Sequence, residues 1–306
     1  METAFFIFQV IIMIVISPLV SGLMRKFKNS LRMRKGSPVL QPYYNLRKYF
    51  MKEEVVSEHA SVILRITPYV VLASTVTAFL FVPVFHFSNF FQVTGGILAL
   101  FFFLALGRFF LVLAGLDTGS AFGGMGSSRE VFISSLAEPV AICAAAVVGL
   151  KSGALHLSAA LNLTSTPVSV VIAAVALLLV VIAETSRIPV DNQETHLELT
   201  MIHEAMLLEY SGRSFALLEL SAHSKQMLFF GVLASILWPL PVTAQSGLVI
   251  YFWSVVWFIG KIAVFACMVS VLEVMLAKMR LFRVVDFMGF AFLLSILALI
   301  MAGLGV

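Results

Sequence analysis

"PVSVVIAAVALLLVVIAETSRIPVDNQETHLELTMIHEAMLLEYSG", residues Pro167–Gly212, changes character in the middle. Up to Ala183 it is an apolar run without one charge. From Glu184 on it carries Glu184, Asp191, Glu194, Glu198, Glu204 and Glu209, six of the chain's 16 acidic residues. The first half reads as a helix in lipid, because a run of about 20 apolar residues spans the hydrocarbon core. The second half is half apolar (Leu197, Leu199, Met201, Ile202, Met206, Leu207, Leu208), so it reads as a loop packed against something rather than a solvated one.

The same pattern of apolar runs separated by short polar stretches extends along the whole chain of 306 residues. Only 12% of these are charged and 60% are hydrophobic, against about a quarter charged in a soluble domain. Alternating barrel strands are not seen. Backbone polar groups in lipid must be satisfied within the segment, so the fold class is an all-α membrane protein, one polytopic domain over 1–306. Eight spans are expected, near Phe5–Met24, Ile66–Phe87, Phe91–Leu116, Val131–Leu150, Pro167–Ala183, Gln226–Thr243, Leu248–Leu272 and Val284–Met301.

Of the 20 Lys and Arg residues, 17 fall in or beside the loops after spans one, three, five and seven; only Lys151 lies on the opposite side. Basic loops stay in the cytoplasm. The chain is therefore expected in the cell (inner) membrane with both termini outside. The first span has Glu2 before it and its basic residues after it, which favours a retained helix over a cleaved signal. The net charge of +4 reflects this topology, and nucleic acid is not an expected partner.

Charged residues inside spans are expensive and usually paired. Arg108 and Glu138 each lie about eight residues from the basic end of consecutive spans, so both should sit about 12 Å deep and form a pair. Lys261 falls near the middle of span seven, too deep to reach the surface easily. Asp191, Glu194 and Glu198, spaced i, i+3, i+7, would share one face of a helix. Carboxylates so close repel, and burial raises their pKa values, so such a row can exchange protons near neutral pH.

Other stretches exclude functions. "AGLDTGSAFGGMGSSRE", Ala114–Glu130, is rich in glycine, but no strand precedes it and no GK[ST] follows, so it is not a phosphate loop. Its small residues suit close backbone packing, and Asp117, Arg129 and Glu130 read as interfacial charges. "HEAML", His203–Leu207, fails the HExxH zinc pattern at Leu207; His196 and His203 are expected in polar contacts or proton relay, not on a metal. Cys143 and Cys267 sit inside apolar spans with no CxxC or Cys/His cluster, so the chain cannot itself hold an iron–sulfur cluster, and both read as buried structural thiols. "RKGSPVLQPYYNLRKYF", Arg34–Phe50, mixes aromatic and basic residues and suits a short helix at the membrane surface.

Taken with "AGLDTGSAFGGMGSSRE" and "RITPYV", the stretch from Ala183 to Gly212 resembles the ET-R-P-D…E…E…EYSG signature of the complex I subunit 1 family. The match is most like the branch of membrane-bound nickel–iron hydrogenases, typified by formate hydrogenlyase subunit 4 and hydrogenase-4 component C. The resemblance implies eight membrane helices, with spans two to six forming a transporter-like five-helix repeat. It implies no redox cofactor in this chain; the nickel–iron centre and iron–sulfur clusters belong to partner subunits. The implied partners are hydrogenase large and small subunits docked on the cytoplasmic face, and antiporter-like membrane subunits. The implied role is coupling electron transfer to proton or sodium translocation through Glu184, Arg187, Asp191, Glu194, Glu198, Glu209 and Glu138. With Arg108, Glu204 and Lys261 these make up the expected ion-coupling set; Asp117, Arg129, Glu130, His196 and His203 make up the interface set. His196 stands where complex I commonly has a glutamate, and the chain is about three residues longer between Glu198 and "EYSG". In complex I that region borders the quinone chamber, so the departures disfavour the alternative, a quinone-reducing subunit like that of NADH dehydrogenase. A stand-alone carrier or simple anchor would not need an acidic cluster beside a docking surface.

The topology predicts that cysteines introduced at Ser37 and Gln193 resist impermeant thiol reagents added outside intact cells. Ready labelling of either would invert the orientation.

Overall fold

A chain in lipid has no water to bond its backbone, and helices answer that constraint here. The computed structural model describes residues 2–56, 60–82, 96–154, 157, 167–191, 201–238 and 248–305. Among the described residues every regular element is helical. The long apolar helices are α1 (Glu2–Leu31), and then, after a short α2 (Gln41–Phe50), α3 (Val62–Phe79), α4 (Ile97–Asp117), α5 (Ala121–Ser152) and α6 (Val168–Glu184). A single turn α7 (His203–Leu207) leads into α8 (Gly212–Leu237), α9 (Leu248–Met275) and α10 (Leu281–Gly303). Seven of these are long and apolar enough to cross a membrane, and α6 is a shorter apolar helix of 17 residues. Each of the eight overlaps one expected span.

The centre of the bundle is α8. In its most apolar stretch 78% of residues are buried, against 28–44% in the other long helices. It packs against α1, α2, α3, α6 and α9, with Phe229, Phe230, Met227 and Leu228 fully enclosed. Around it α3 lies on α4, α4 on α5 and α5 on α6. The last two helices have different neighbours: α9 packs on α1 and α8, whereas α10 packs on α5 and α6.

Two boundaries differ from the sequence reading. "RSFALLELSAHSKQ", expected as the tail of a loop, is the first half of α8, and span six begins at Gly212 instead of Gln226. Arg213, Glu219, His223 and Lys225 lower the local hydropathy, yet the helix continues because its other faces are apolar and buried. Likewise "AFGGMGSSRE" is not a loop but the opening of α5, capped by Ser120 Oγ accepting from Gly123 N–H at 3.1 Å. Its glycines serve contact: a Cβ on Gly126 would lie 2.8 Å from the Ile202 carbonyl oxygen and 2.9 Å from Ala205 Cβ. The described part of the half-apolar stretch is largely packed, with Met201, Ile202, Met206 and Leu207 buried, but Leu208 is exposed; Leu197 and Leu199 lie outside the described residues.

Within α2, Pro42 and Leu46 are buried while Arg47 and Lys48 face out, the surface helix expected there. Tyr49 meets Phe215 edge-to-face at 4.9 Å, fixing α2 to α8. Cys143 and Cys267 are free thiols and half-buried rather than enclosed, because each lies towards the outer side of its helix.

The tight fit between α5 and α7 predicts that Gly126→Ala lowers unfolding stability by about 1–3 kcal/mol. Gly124→Ala, with open space around it, should be neutral or slightly stabilising. Thermal unfolding of the detergent-solubilised protein distinguishes the two; equal behaviour would refute the packing argument.

Candidate functional site

Helix α6 ends at Glu184, and its carboxylate carries two cations. Oε1 lies 2.9 Å from Arg108 Nη2, and Oε2 lies 2.8 Å from Lys225 Nζ. The other arm of Arg108 reaches Glu138 at 3.3 Å. Lys225, Glu184, Arg108 and Glu138 thus form a row of alternating charge across α8, α6, α4 and α5. Its burial is uneven: the Glu184 and Arg108 side chains are 6% and 8% exposed, Glu138 49%. At one end the row opens on a cavity of about 640 Å³ that Lys225 and Glu184 line. At the other it reaches the outer flank of α5. The Arg108–Glu138 pair is legible from equal depth. The central place of Glu184 and Lys225 is not, because hydropathy assigns both to a loop.

A second cluster holds the segment after α6. Arg187 donates to Glu273 at 3.1 Å and to Gln226 at 2.8 Å. Lys28 approaches the other Glu273 oxygen at 3.1 Å. Asp191 pairs with Lys278 at 2.8 Å, and its second oxygen accepts from Ile202 N–H at 3.2 Å. Asp191 therefore joins the two ends of the stretch that carries Glu194, His196 and Glu198. Those three residues lie outside the described residues. Sequence reasoning misses Glu273, Lys28 and Gln226, whose partners are remote in the chain; the one available signal is Glu273 as the single acid of α9.

His203 and Glu204 line the cavity as well. Burial, reinforced by Lys225, holds His203 below its ordinary value against the opposing pull of Glu130, Asp191 and Glu184. Glu130, one of the expected interface set, is buried in α5, facing a small second cavity that His203 and Arg108 share. Arg129 donates to the Met201 carbonyl at 3.0 Å, tying α5 to the stretch before α7.

Other described residues of the two expected sets lie apart from the row. Asp117 accepts from Ser61 N–H at 2.9 Å and so supports the start of α3. Glu209 is half-buried and does not line the cavity. Lys261 is enclosed within α9, donating to the Trp238 carbonyl where α8 ends, with its ammonium 5.8 Å from the Trp257 ring. Among the described residues no group of three or more His, Cys, Asp or Glu could hold a metal ion.

The profile described as NADH dehydrogenase matches residues 3–303. The chain belongs to the NADH dehydrogenase subunit 1 family. Within the family it is 29% identical to hydrogenase-4 component C of Escherichia coli over 289 residues, covering 92% of this chain and 91% of that one. It is 28% identical to formate hydrogenlyase subunit 4 of the same organism, covering 92% of each. Similarity to a subunit of the NADH-quinone oxidoreductase of Rhodospirillum rubrum is 27% and spans less, 78% of this chain and 74% of that one. The fold matches a chain of the archaeal membrane-bound sulfane sulfur reductase, a respiratory membrane complex, with a TM-score of 0.84 at 16% identity, over 97% of this chain and 98% of that one. This member of the subunit 1 family is thus a multi-pass membrane protein whose relatives are components of multisubunit respiratory complexes.

Removing one partner of a buried ion pair costs about 3–5 kcal/mol, because the other charge is stranded. Arg108→Ala should therefore destabilise the protein far more than Glu138→Gln, whose site is half exposed. In double-mutant cycles on thermal stability, Arg108/Glu184 should couple by about 0.5–3 kcal/mol and Arg108/Glu138 by less. Additivity for both pairs would mean the row is not an interacting unit.

Proposed function

We propose that this chain is the coupling subunit of a complex I-like nickel–iron hydrogenase or formate hydrogenlyase-like complex. It docks the hydrogenase large and small subunits at the basic end of the bundle, facing the cytoplasm, and has no catalytic or redox centre of its own. The nickel–iron centre and iron–sulfur clusters sit in those partners. A change of charge beside the cavity passes along Lys225, Glu184, Arg108 and Glu138 to antiporter-like membrane subunits, where protons or sodium ions move.

The observation that carries this reading is the alternating row itself. Each member is held by opposite charges on neighbouring helices, so a proton gained or lost at the cavity end shifts the balance at the next pair. Buried groups interact strongly because the surroundings screen them weakly. Glu138, half exposed at membrane depth, is where the row meets a neighbour: an uncovered carboxylate there is unfavourable in lipid. The nearly full-length similarity to hydrogenase-4 component C and formate hydrogenlyase subunit 4 supports the hydrogenase branch.

A second reading, a quinone-reducing subunit like that of NADH dehydrogenase, draws on the cavity of about 640 Å³, which falls in the size range of small-molecule pockets, about 300–1,000 Å³. Purification of the intact complex separates the two: hydrogen evolution or uptake supports the first, quinone reduction without hydrogenase subunits the second.

Glutamine keeps the shape of glutamate but cannot ionise near neutral pH. In the assembled complex, Glu194→Gln with Glu198→Gln, and separately Glu138→Gln, should leave hydrogen turnover with artificial electron partners intact in detergent. Ion pumping in sealed vesicles should fall sharply in both. Normal pumping per electron would return these carboxylates to the role of solvation, for which substitutions have small effects.

A further inference from the structure

We propose that Glu273 and the connector between α9 and α10 form a strap that positions the 185–191 segment, with Glu273 holding Arg187 away from Glu184. The strap rests on the coupling reading for its functional consequence, though not for its existence.

Three independent contacts come from one short stretch of chain, residues 273–279. Glu273, 2% exposed, binds Arg187. The Met279 N–H donates to the Pro189 carbonyl at 2.9 Å. Lys278 pairs with Asp191. The stretch lies where the chain leaves α9, on the α1 and α8 side, for α10, on the α5 and α6 side. To make that crossing it must pass the basic end of the bundle, and it bonds the segment after α6 on the way.

The charges show what the strap does. Arg187 follows Glu184 by three residues, and both line the same cavity with Glu273, Lys28 and Lys225. The cations are divided evenly: Arg108 and Lys225 on Glu184, Arg187 and Lys28 on Glu273. A free Arg187 would be drawn to Glu184, competing there with Arg108 and loosening the link to Glu138. Glu273 prevents this by supplying a fixed counter-charge on α9, and Gln226 fixes the second arm of the guanidinium. Glu273 is thus a positioning residue that acts through Arg187, rather than a member of the charge row.

The test is amide hydrogen exchange by mass spectrometry on the intact complex purified with this chain. In the native chain Val190 and Asp191 both donate to the Arg187 carbonyl, at 2.9 and 3.1 Å. Glu273→Gln should raise exchange in peptides covering 185–191 about tenfold or more while leaving peptides of α4 unchanged. Lys28→Gln with Glu273→Gln should stay equally raised, because Arg187 still lacks its partner. Native exchange in Glu273→Gln overturns the proposal. So does recovery in the double variant, which would mean that Glu273 only neutralises Lys28. If Glu273→Gln does not assemble, Met279→Pro removes the donor to Pro189 without altering charge; raised exchange over 185–191 then supports the strap and native exchange overturns it. Exchange is read without turnover, so failure of the strap is separable from failure of the coupling reading, which the vesicle assay tests.

Discussion

The constraint on which the rest depends is the penalty for a charge in surroundings that screen it poorly. An unpaired ion removed from water loses several kcal/mol of solvation, so charges are retained inside such a bundle only where opposite charges or hydrogen bonds meet them. Glu184 takes cations from two helices; Glu273 takes one from α1 and one from the segment after α6. Each pairing fixes the relative position of elements that apolar packing alone would leave free to slide. Lipid tails are as apolar as leucine, so helix association in membranes relies on close contact and polar links of this kind. The architecture and the candidate function are therefore two readings of one set of interactions.

Most of the helix inventory is legible in the sequence because hydropathy reports it directly. All eight apolar helices fall where runs of Leu, Ile, Val, Phe and Ala occur. What escapes is where α5 and α8 begin. In both, hydropathy drops before the helix ends: the opening of α5 is rich in glycine and serine, and the first half of α8 carries Glu219, His223 and Lys225 towards the cavity. A hydropathy criterion presumes lipid around a helix, and these turns face protein and an internal polar space.

The candidate site divides in the same way. Arg108 and Glu138 can be paired from depth alone, since consecutive helices carry them at equal distance from one end. Glu184 is recognisable as part of a signature, but its partners are not, because Lys225 looks like a loop base. Glu273 is marked only as the single acid of its helix: one carboxylate near a helix end reads as ordinary interfacial solvation until Arg187 and Lys28, 86 and 245 positions away, are seen beside it. Lys261 is legible by depth, but its contacts are not. Its depth places it in the expected ion-coupling set, and the structure adds contacts with the Trp238 carbonyl, at the end of α8, and the Trp257 ring. Such a group makes up for the carbonyls that a helix leaves unbonded where it stops.

The separate packing of α9 and α10 also bears on how the protein is made. Chains are synthesised from the N-terminus, and earlier parts form structure first. The segment from Thr185 to Asp191 leaves the ribosome long before residues 273–279 exist, so it must wait for its hydrogen-bond partners until the end of α9 has been produced. The seats for Arg187, Pro189 and Asp191 are complete only once residues 273–279 have been made. A nascent or truncated chain can thus contain every apolar helix of the central bundle and still present an unfinished junction.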